Sequence, residues 1–530
     1  MKKTLTKNLP FWILVILFNI VIVFMCILTA RQSYGMEGDE VFSFISSTAQ
    51  GGIKGICFVD DQTWYDGSYY YNALVAEGSE RFNIPMVFEN QAMDTHPPLF
   101  YVFLNFVCSF FPGQFSRWFG IGLNIFFLFF VEAGCFLLLQ YFLKNKYASF
   151  ILSAIFCCSC LSVKMVLFIR MYVLLMACFL FQSWYHLLFY NWSVDGISLK
   201  KDWKKYILLG ILTIIGALTH YYFLIYQALI SALFILALWK KHHVSQCIDY
   251  IITMAVSAVL YCCLYPAALN HIFFKYRGRD AVHKFFKTSS LLDDVLGMFN
   301  AFNNELFKGT LLILLGFMII ATILLTIRKK FHWKAFRTYL LLIAPSIIYF
   351  WGISKASPFT ATRYISPVTT FIYIFLILWA ELLWKSINQN KNACYAVCCA
   401  VMGLLVFFFP IRSITNITYT ERTQVVNELA SECEYCAYIT GDEYNWKMWD
   451  DFVLYPEFNA LFLINGAKKT PITDEKFLSQ EKLVVFIDNA LDQNEVIAYL
   501  KESFPEMTYE LKYEEPYVNI FYIKCAADSL

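Results

Sequence analysis

Charge is scarce in this chain: Asp, Glu, Lys and Arg make up 15% of its 530 residues, against 59% hydrophobic. That excludes an ordinary soluble globular protein, in which about a quarter of the residues are charged. A disulfide framework is not expected either. Most of the 17 cysteines fall inside apolar runs (Cys157, Cys158, Cys160, Cys262, Cys263, Cys398, Cys399), where Cys behaves as a small hydrophobe. Cys433 and Cys436 form a lone C-x-x-C, weak grounds for metal or redox chemistry. A net charge of +2 gives no reason to expect a nucleic-acid partner. Neither a Walker A loop nor an internal repeat is found in the sequence.

What the chain does have is long apolar sequence. Such runs, many of them near the ~20 residues that cross a bilayer as helix, recur near 11–30, 118–142, 148–168, 171–190, 206–219, 222–239, 248–268, 309–327, 338–353, 364–384 and 393–411. The first, behind "MKKTLTK", is too long for a signal-peptide core and reads as a retained span. One more run, "PPLFYVFLNFVCSFFP" (97–112), is short and bracketed by prolines, so it is expected to lie along the interface. Charge placement supports that choice. Without a crossing at 97–112, the loops at 144–146, 199–205, 240–243, 328–337 and 385–392, all basic, face the cytoplasm together, as the positive-inside rule requires. The expected fold is an α-helical polytopic protein of the cell membrane, with about eleven transmembrane helices, a cytoplasmic N-terminus and an outside C-terminal domain.

Residues 416–530 are of another kind. They carry nine Lys and Arg against 21 Asp and Glu, a net of about −12, while the rest of the chain carries about +14. The strings "CAYIT", "NALFLI" and "KLVVFID" read as buried strands, "DQNEVIAYLKESF" as an amphipathic helix and "YVNIFYIK" as a last strand. A small soluble α/β domain is expected over 416–530, behind a membrane domain over 1–415 whose first outer loop is 31–117. The tail shows no glycine-rich phosphate loop and no triad signature.

The eleven-span topology puts the unusual polar strings on one face. "GDEVF" places Asp39 and Glu40 just past the first span, two residues after Glu37. Carboxylates at a membrane exit are often merely solvated; held in a partly dehydrated site, one can take a proton from a hydroxyl. His96 in "DTHPPLFY" either caps the short helix after it or belongs to a site. Arg117 opens the second span, where Arg is usually a snorkelling anchor. Arg170 with Tyr172, and Arg363 with Tyr364, repeat an Arg/Tyr pairing in two outer turns. A guanidinium at that depth is costly unless it meets an anion, and it forms paired bonds to phosphate oxygens. His220, Tyr221 and Tyr222 sit where an apolar stretch of about 33 residues must break in two. Aromatics there are often belt anchors.

Taken together, "GDEVF", "DTHPPLFY", the Arg that opens the next span, "RMYVLLM", "THYY" and "RYISP" resemble glycosyltransferase family 39 and related GT-C membrane enzymes. These include protein O-mannosyltransferases, the lipid A aminoarabinose transferase and Rgt-type lipopolysaccharide transferases. The likeness covers roughly residues 10–385. It implies transfer of one sugar from a polyprenyl-phosphate donor to an extracytoplasmic glycan, lipid or protein acceptor, with inversion. By analogy Asp39 is the base and Glu40 orients a substrate. Arg117, Arg170, Arg363, Lys275, Arg277 and Arg279 are candidates for the lipid phosphate, His96, Tyr172, His220 and Tyr222 for the sugar pocket, and Tyr221 and Tyr364 are further substrate-binding candidates. No cofactor is certain; a divalent cation held by Glu37, Asp39 and Glu40 is possible. The loop 269–308 is too short for the inserted domain of the O-mannosyltransferases, which leaves the acceptor open. The lack of a Walker A loop and of a cytoplasmic D-x-D pair argues against direct use of a nucleotide sugar. A transporter or flippase for lipid-linked glycans would need charged residues at mid-bilayer or internal repeats; a non-catalytic scaffold is the other alternative.

Overall fold

Backbone amides that enter lipid must be bonded within their own segment, and each of the eleven apolar runs is mostly helical over its described residues. The computed structural model describes residues 2–32, 35–56, 60–286, 291–388, 390–407, 417–441, 446–514 and 517–525. Among these, seven helices are long and apolar enough to cross a membrane: Leu9–Arg31, Arg117–Leu143, Tyr172–Val194, Tyr222–Trp239, Val244–Leu264, Trp333–Ala356 and Ser366–Ile387. Two bent pairs, if each is counted as one span, bring the number to nine. Lys146–Cys157 and Cys160–Leu167 meet at 56°, and Leu292–Phe307 and Leu311–Ile327 at 88°. The expected eleven differ from this for a physical reason. Leu199–Thr219 has Lys200, Lys201, Asp202, Lys204 and Lys205 in its first two turns and is kinked at Asp202, and Lys391–Phe407 has only 17 residues. The end of the expected run 393–411, and the boundary at 416, lie outside the described residues.

The chain folds into two compact units. The first, residues 1–29, 94–100 and 121–414, is the helical body. Polar side chains between its helices find partners there. Gln182 donates to Gln227 at 2.7 Å, the Tyr373 hydroxyl to the Leu152 carbonyl at 2.9 Å and the Tyr395 hydroxyl to the Leu143 carbonyl at 2.9 Å. Helices Leu199–Thr219 and Tyr222–Trp239 approach closely because Gly216 lies on the Phe223 ring; a Cβ at 216 would stand 2.3 Å from it. That contact fixes the tight turn at His220.

The second unit, residues 30–93, 101–120 and 415–530, holds one six-stranded sheet. Strands β1 (Thr63–Asp66), β2 (Tyr435–Thr440), β3 (Ala460–Asn465), β4 (Lys482–Asp488), β5 (Thr508–Tyr513) and β6 (Val518–Lys524) lie in the order β1-β3-β2-β4-β6-β5. The central strands β3, β2 and β4 are parallel and read as continuous apolar runs because both faces are covered. Helix Gln493–Ser503 packs Val496, Ile497 and Leu500 into the core beside Phe462, Val485 and Ile487. At one edge, β1 comes from the stretch expected to be the first outer loop and pairs antiparallel with β3, Thr63 opposite Leu463. Most of that stretch is ordered into short elements, among them the helices Gly38–Thr48, Ile84–Met93 and Leu99–Ser109. The last covers the run expected to lie along the interface. With 11 residues it is about 16 Å long, too short to span. It buries Tyr101, Leu104 and Cys108 and exposes Phe103 and Phe106.

Candidate functional site

The helical body gathers the polar residues of four turns into one cluster. His96 precedes two prolines, which favour extended backbone before them and keep residues 94–98 out of helix. Its Nδ1 lies 2.7 Å from Asp94 Oδ2, and its Nε2 lies 3.3 Å from Arg170 Nη2. A guanidinium only donates, so Nε2 accepts and the proton on Nδ1 is given to Asp94; the tautomer is assigned from this bonding. The Tyr265 hydroxyl donates to the His96 carbonyl at 3.1 Å, and Lys275 Nζ to the Asp94 carbonyl. Burial alone would raise the Asp94 carboxyl, but its contacts with His96 and the Arg170 charge outweigh this and hold it below the usual carboxylate range. His220 is pushed well below the usual imidazole range, first by burial and then by His96 and Arg170. It stays neutral, and its Nδ1 accepts the Tyr222 amide at 3.0 Å.

Aromatic faces surround these groups. Tyr172 lies 5.9 Å from His220 and 6.1 Å from Tyr364; Tyr222 lies 4.6 Å from His220 and 6.1 Å from Tyr364. The Arg363 guanidinium sits 5.0 Å over the Phe168 ring and 5.2 Å from that of Tyr364, within cation–π range. Arg170 itself is only 3% exposed. Two cations, two imidazoles and several tyrosines thus gather in one cluster, a set of groups that suits an anion and a flat-sided polar ring. One turn along from Tyr222, Tyr226 lines an apolar cavity of about 280 Å³ with Phe234, Phe371 and Phe375.

Of the residues expected from sequence, the body brings His96, Arg170, Tyr172, His220, Tyr222, Arg363, Tyr364 and Lys275 together. Tyr221 places its hydroxyl 2.7 Å from His271 Nδ1. Arg277 and Arg279 fall on the helix Tyr276–Phe286; the Arg277 side chain lies outside the described residues. Asp94, Tyr265 and Phe168 were missed. Asp94 stands in the quoted string, two residues from His96, and that spacing was a usable signal; Tyr265 and Phe168 had none.

Asp39, Glu40 and Arg117 belong to the second unit. "GDEVF" opens the helix Gly38–Thr48, with Glu37 as N-cap. Glu37 and Glu40 form a capping box, in which the Glu40 carboxylate accepts the Glu37 amide at 2.9 Å, satisfying donors that a helix start leaves open. Asp39 lies between them, half-buried and outside the box. The helix rests on the turn Trp446–Asp451: Phe42 and Trp449 rings are 5.9 Å apart, and a Cβ on Gly38 would stand 2.8 Å from Asp450 Oδ1. That turn is held in place by Arg422, which donates to the Asp450 carbonyl at 3.1 Å and pairs with Asp451 at 3.4 Å, both side chains buried. On the other side, Asn105 of the Leu99–Ser109 helix donates to the Ser47 carbonyl at 2.7 Å, and Tyr101 lies 6.4 Å from Phe42. The two helices that follow the two quoted strings therefore pack together. Arg117 donates to the Gly35 carbonyl at 3.3 Å and lies within reach of the Glu40 charge.

In that capping box the Glu37 and Glu40 carboxylates, two of the three raised for a possible divalent cation, each accept the other's backbone amide. Among the described residues no group of three or more His, Cys, Asp or Glu is arranged to hold a metal ion.

Among solved structures, the chain is similar to ArnT from Cupriavidus metallidurans. The crystal structure bound to undecaprenyl phosphate matches with a TM-score of 0.54 at 11% identity, covering 97% of this chain and 98% of that one. The apo structure matches with 0.53 at 11%, covering 96% and 97%. No protein-family model matches the chain, and no curated protein matches it in sequence. At that identity the likeness shows the fold alone: a mostly helical chain with seven to nine candidate membrane spans among its described residues and a small C-terminal sheet domain, shared with the ArnT structures.

Proposed function

We propose that the chain transfers a monosaccharide from a polyprenyl-phosphate donor to an acceptor outside the cytoplasm, inverting the anomeric carbon. The observation that carries this reading is the burial of Arg170 beside Arg363, His96 and His220 inside a ring of tyrosines. Guanidinium groups form paired, charge-assisted bonds to phosphate oxygens, and a lipid phosphate brings such an anion to this depth. The ArnT structure of the same fold was solved with undecaprenyl phosphate, which supports the same ligand chemistry here. In the reaction, the acceptor hydroxyl gives its proton to Asp39 as its oxygen bonds to the anomeric carbon. The bond from that carbon to the carrier phosphate breaks, and the electron pair leaves on the phosphate, stabilised by Arg170, Arg363 and Lys275. Arg117 is a further candidate contact to the donor. His96, Tyr172, His220, Tyr222 and Tyr364 shape the sugar's surroundings, and Glu40 acts on the base's helix through its cap.

Deleting the protein and comparing the monosaccharide composition of surface glycans tests the reading. Loss of one sugar is expected and would name the donor; an unchanged composition would overturn the proposal.

The acceptor face is assigned from the basic loops, with the N-terminus inside. A single cysteine placed at Lys330 should resist labelling by a membrane-impermeant reagent on intact cells. Efficient labelling there would reverse the orientation.

A further inference from the structure

Arg363 is carried by the 3-10 turn Thr362–Tyr364, between the helices Trp333–Ala356 and Ser366–Ile387. The hydroxyl of Thr362, a buried residue, donates to Glu305 Oε2 at 2.5 Å. The other oxygen of the same carboxylate lies 2.6 Å from Lys164 Nζ. Lys164 belongs to the last turn of Cys160–Leu167, where its carbonyl accepts the Phe168 amide at 3.1 Å. Phe168 supplies the ring under Arg363, and its carbonyl accepts the Arg170 amide at 2.7 Å. Glu305 itself is fixed beside the 88° bend, where Asn303 Oδ1 accepts the Leu311 amide at 3.0 Å. One carboxylate thus joins the turn that bears Arg363 to the turn that bears Phe168 and Arg170.

We infer that Glu305 is a positioning residue that sets the spacing between Arg363 and the Phe168–Arg170 turn, and through it the fit of a lipid-borne phosphate. This deepens the function proposed above and rests on that reading. The two arms of Glu305 differ in weight. Lys164 is about half exposed, where an ion pair contributes little. The bond to Thr362 is part-buried and charge-assisted, and such bonds are among the stronger ones. Small displacements of a group that grips a charged ligand are costly, so the Thr362 arm should govern affinity.

The test uses the full chain in lipid nanodiscs, with undecaprenyl phosphate as probe and undecaprenol as its phosphate-free control. Thr362→Val, which keeps the β-branched shape but removes the donor, should raise the Kd for undecaprenyl phosphate about tenfold. Undecaprenol binding should not change. Added to Arg363→Ala, Thr362→Val should cost nothing more, because its effect passes through Arg363. Glu305→Gln keeps an oxygen for Thr362 and loses charge toward Lys164, so a loss of about threefold is expected; it carries the test with the same signs if Thr362→Val does not fold. Equal weakening of both lipids, or full additivity with Arg363→Ala, would reduce Glu305 to a structural role and overturn the inference. So would an effect of Arg363→Ala with none of Thr362→Val, and in that case the proposed function stands. If neither Arg170→Ala nor Arg363→Ala alters undecaprenyl phosphate binding, the proposed function falls and takes the inference with it.

Discussion

Asp39→Asn should abolish sugar transfer, by about 10²- to 10⁴-fold, the range that a positioned general base contributes, while the protein still inserts and keeps its thermal midpoint. Asn retains the shape of Asp and suits a helix start, so the helix Gly38–Thr48 should persist. What Asn cannot do is take the acceptor's proton. The neighbouring variant separates chemistry from folding. Glu40 accepts the Glu37 amide, and Gln at 40 can still accept it, as capping boxes allow either residue. Glu40→Gln should therefore leave activity within about threefold, since loss of a capping bond is a matter of roughly 1 kcal/mol. The measurement is transfer in membranes supplied with polyprenyl-phosphate sugars. If Asp39→Asn retains full activity, the base lies elsewhere. If Glu40→Gln is as damaging as Asp39→Asn, the two carboxylates act together and the capping role is too small an account of Glu40.

That contrast also shows which features a sequence displays and which it conceals. Apolar runs announce helices because lipid leaves the backbone no other choice, yet nothing in "FCCSCL" announces a 56° break. The break is made by Ser159, whose side chain accepts the Ser162 amide at 3.1 Å and starts a new helix without proline or glycine. Strands β2, β3 and β4 are legible as apolar runs, and β6 as one interrupted only by Asn519. Strand β5, "TYELKY", is an exposed edge whose charges keep it from pairing further, and its alternation is broken by a register shift between Leu511 and Tyr513. Strand β1 has four residues and depends on a partner some 400 positions away, beyond the reach of any local pattern. The site divides along the same line. Glu37-x-x-Glu40 has the spacing of a capping box, but its carboxylates invite a chemical reading first. Asp94 and His96 are neighbours in the string; their joint contact with Arg170 is a tertiary fact.

Arg170→Ala should be the most damaging change in the helical body. Its guanidinium donates to His96 at 3.3 Å, and its charge helps keep the Asp94 carboxyl ionised. Truncating one partner of a buried, hydrogen-bonded charge cluster costs about 2–5 kcal/mol, or roughly 30- to several-thousand-fold in kcat/KM. Part of that cost would fall on stability, because Asp94, half-buried, is left with less positive charge nearby. Two readouts separate the parts. Inhibition by free undecaprenyl phosphate should weaken in Arg170→Ala, whereas a purely structural defect would lower the thermal midpoint and leave the inhibition constant of the folded fraction unaltered. Arg170→Lys should rescue little, since an ammonium offers a point charge where His96 and a phosphate need a planar fork. Salt supplies the last check. Arg170 is 3% exposed, and buried charges are poorly screened, so the loss should be the same at low and high ionic strength. A deficit that disappears at high salt would mean that Arg170 merely steers an anion from the surface, and the phosphate contact would have to be sought elsewhere.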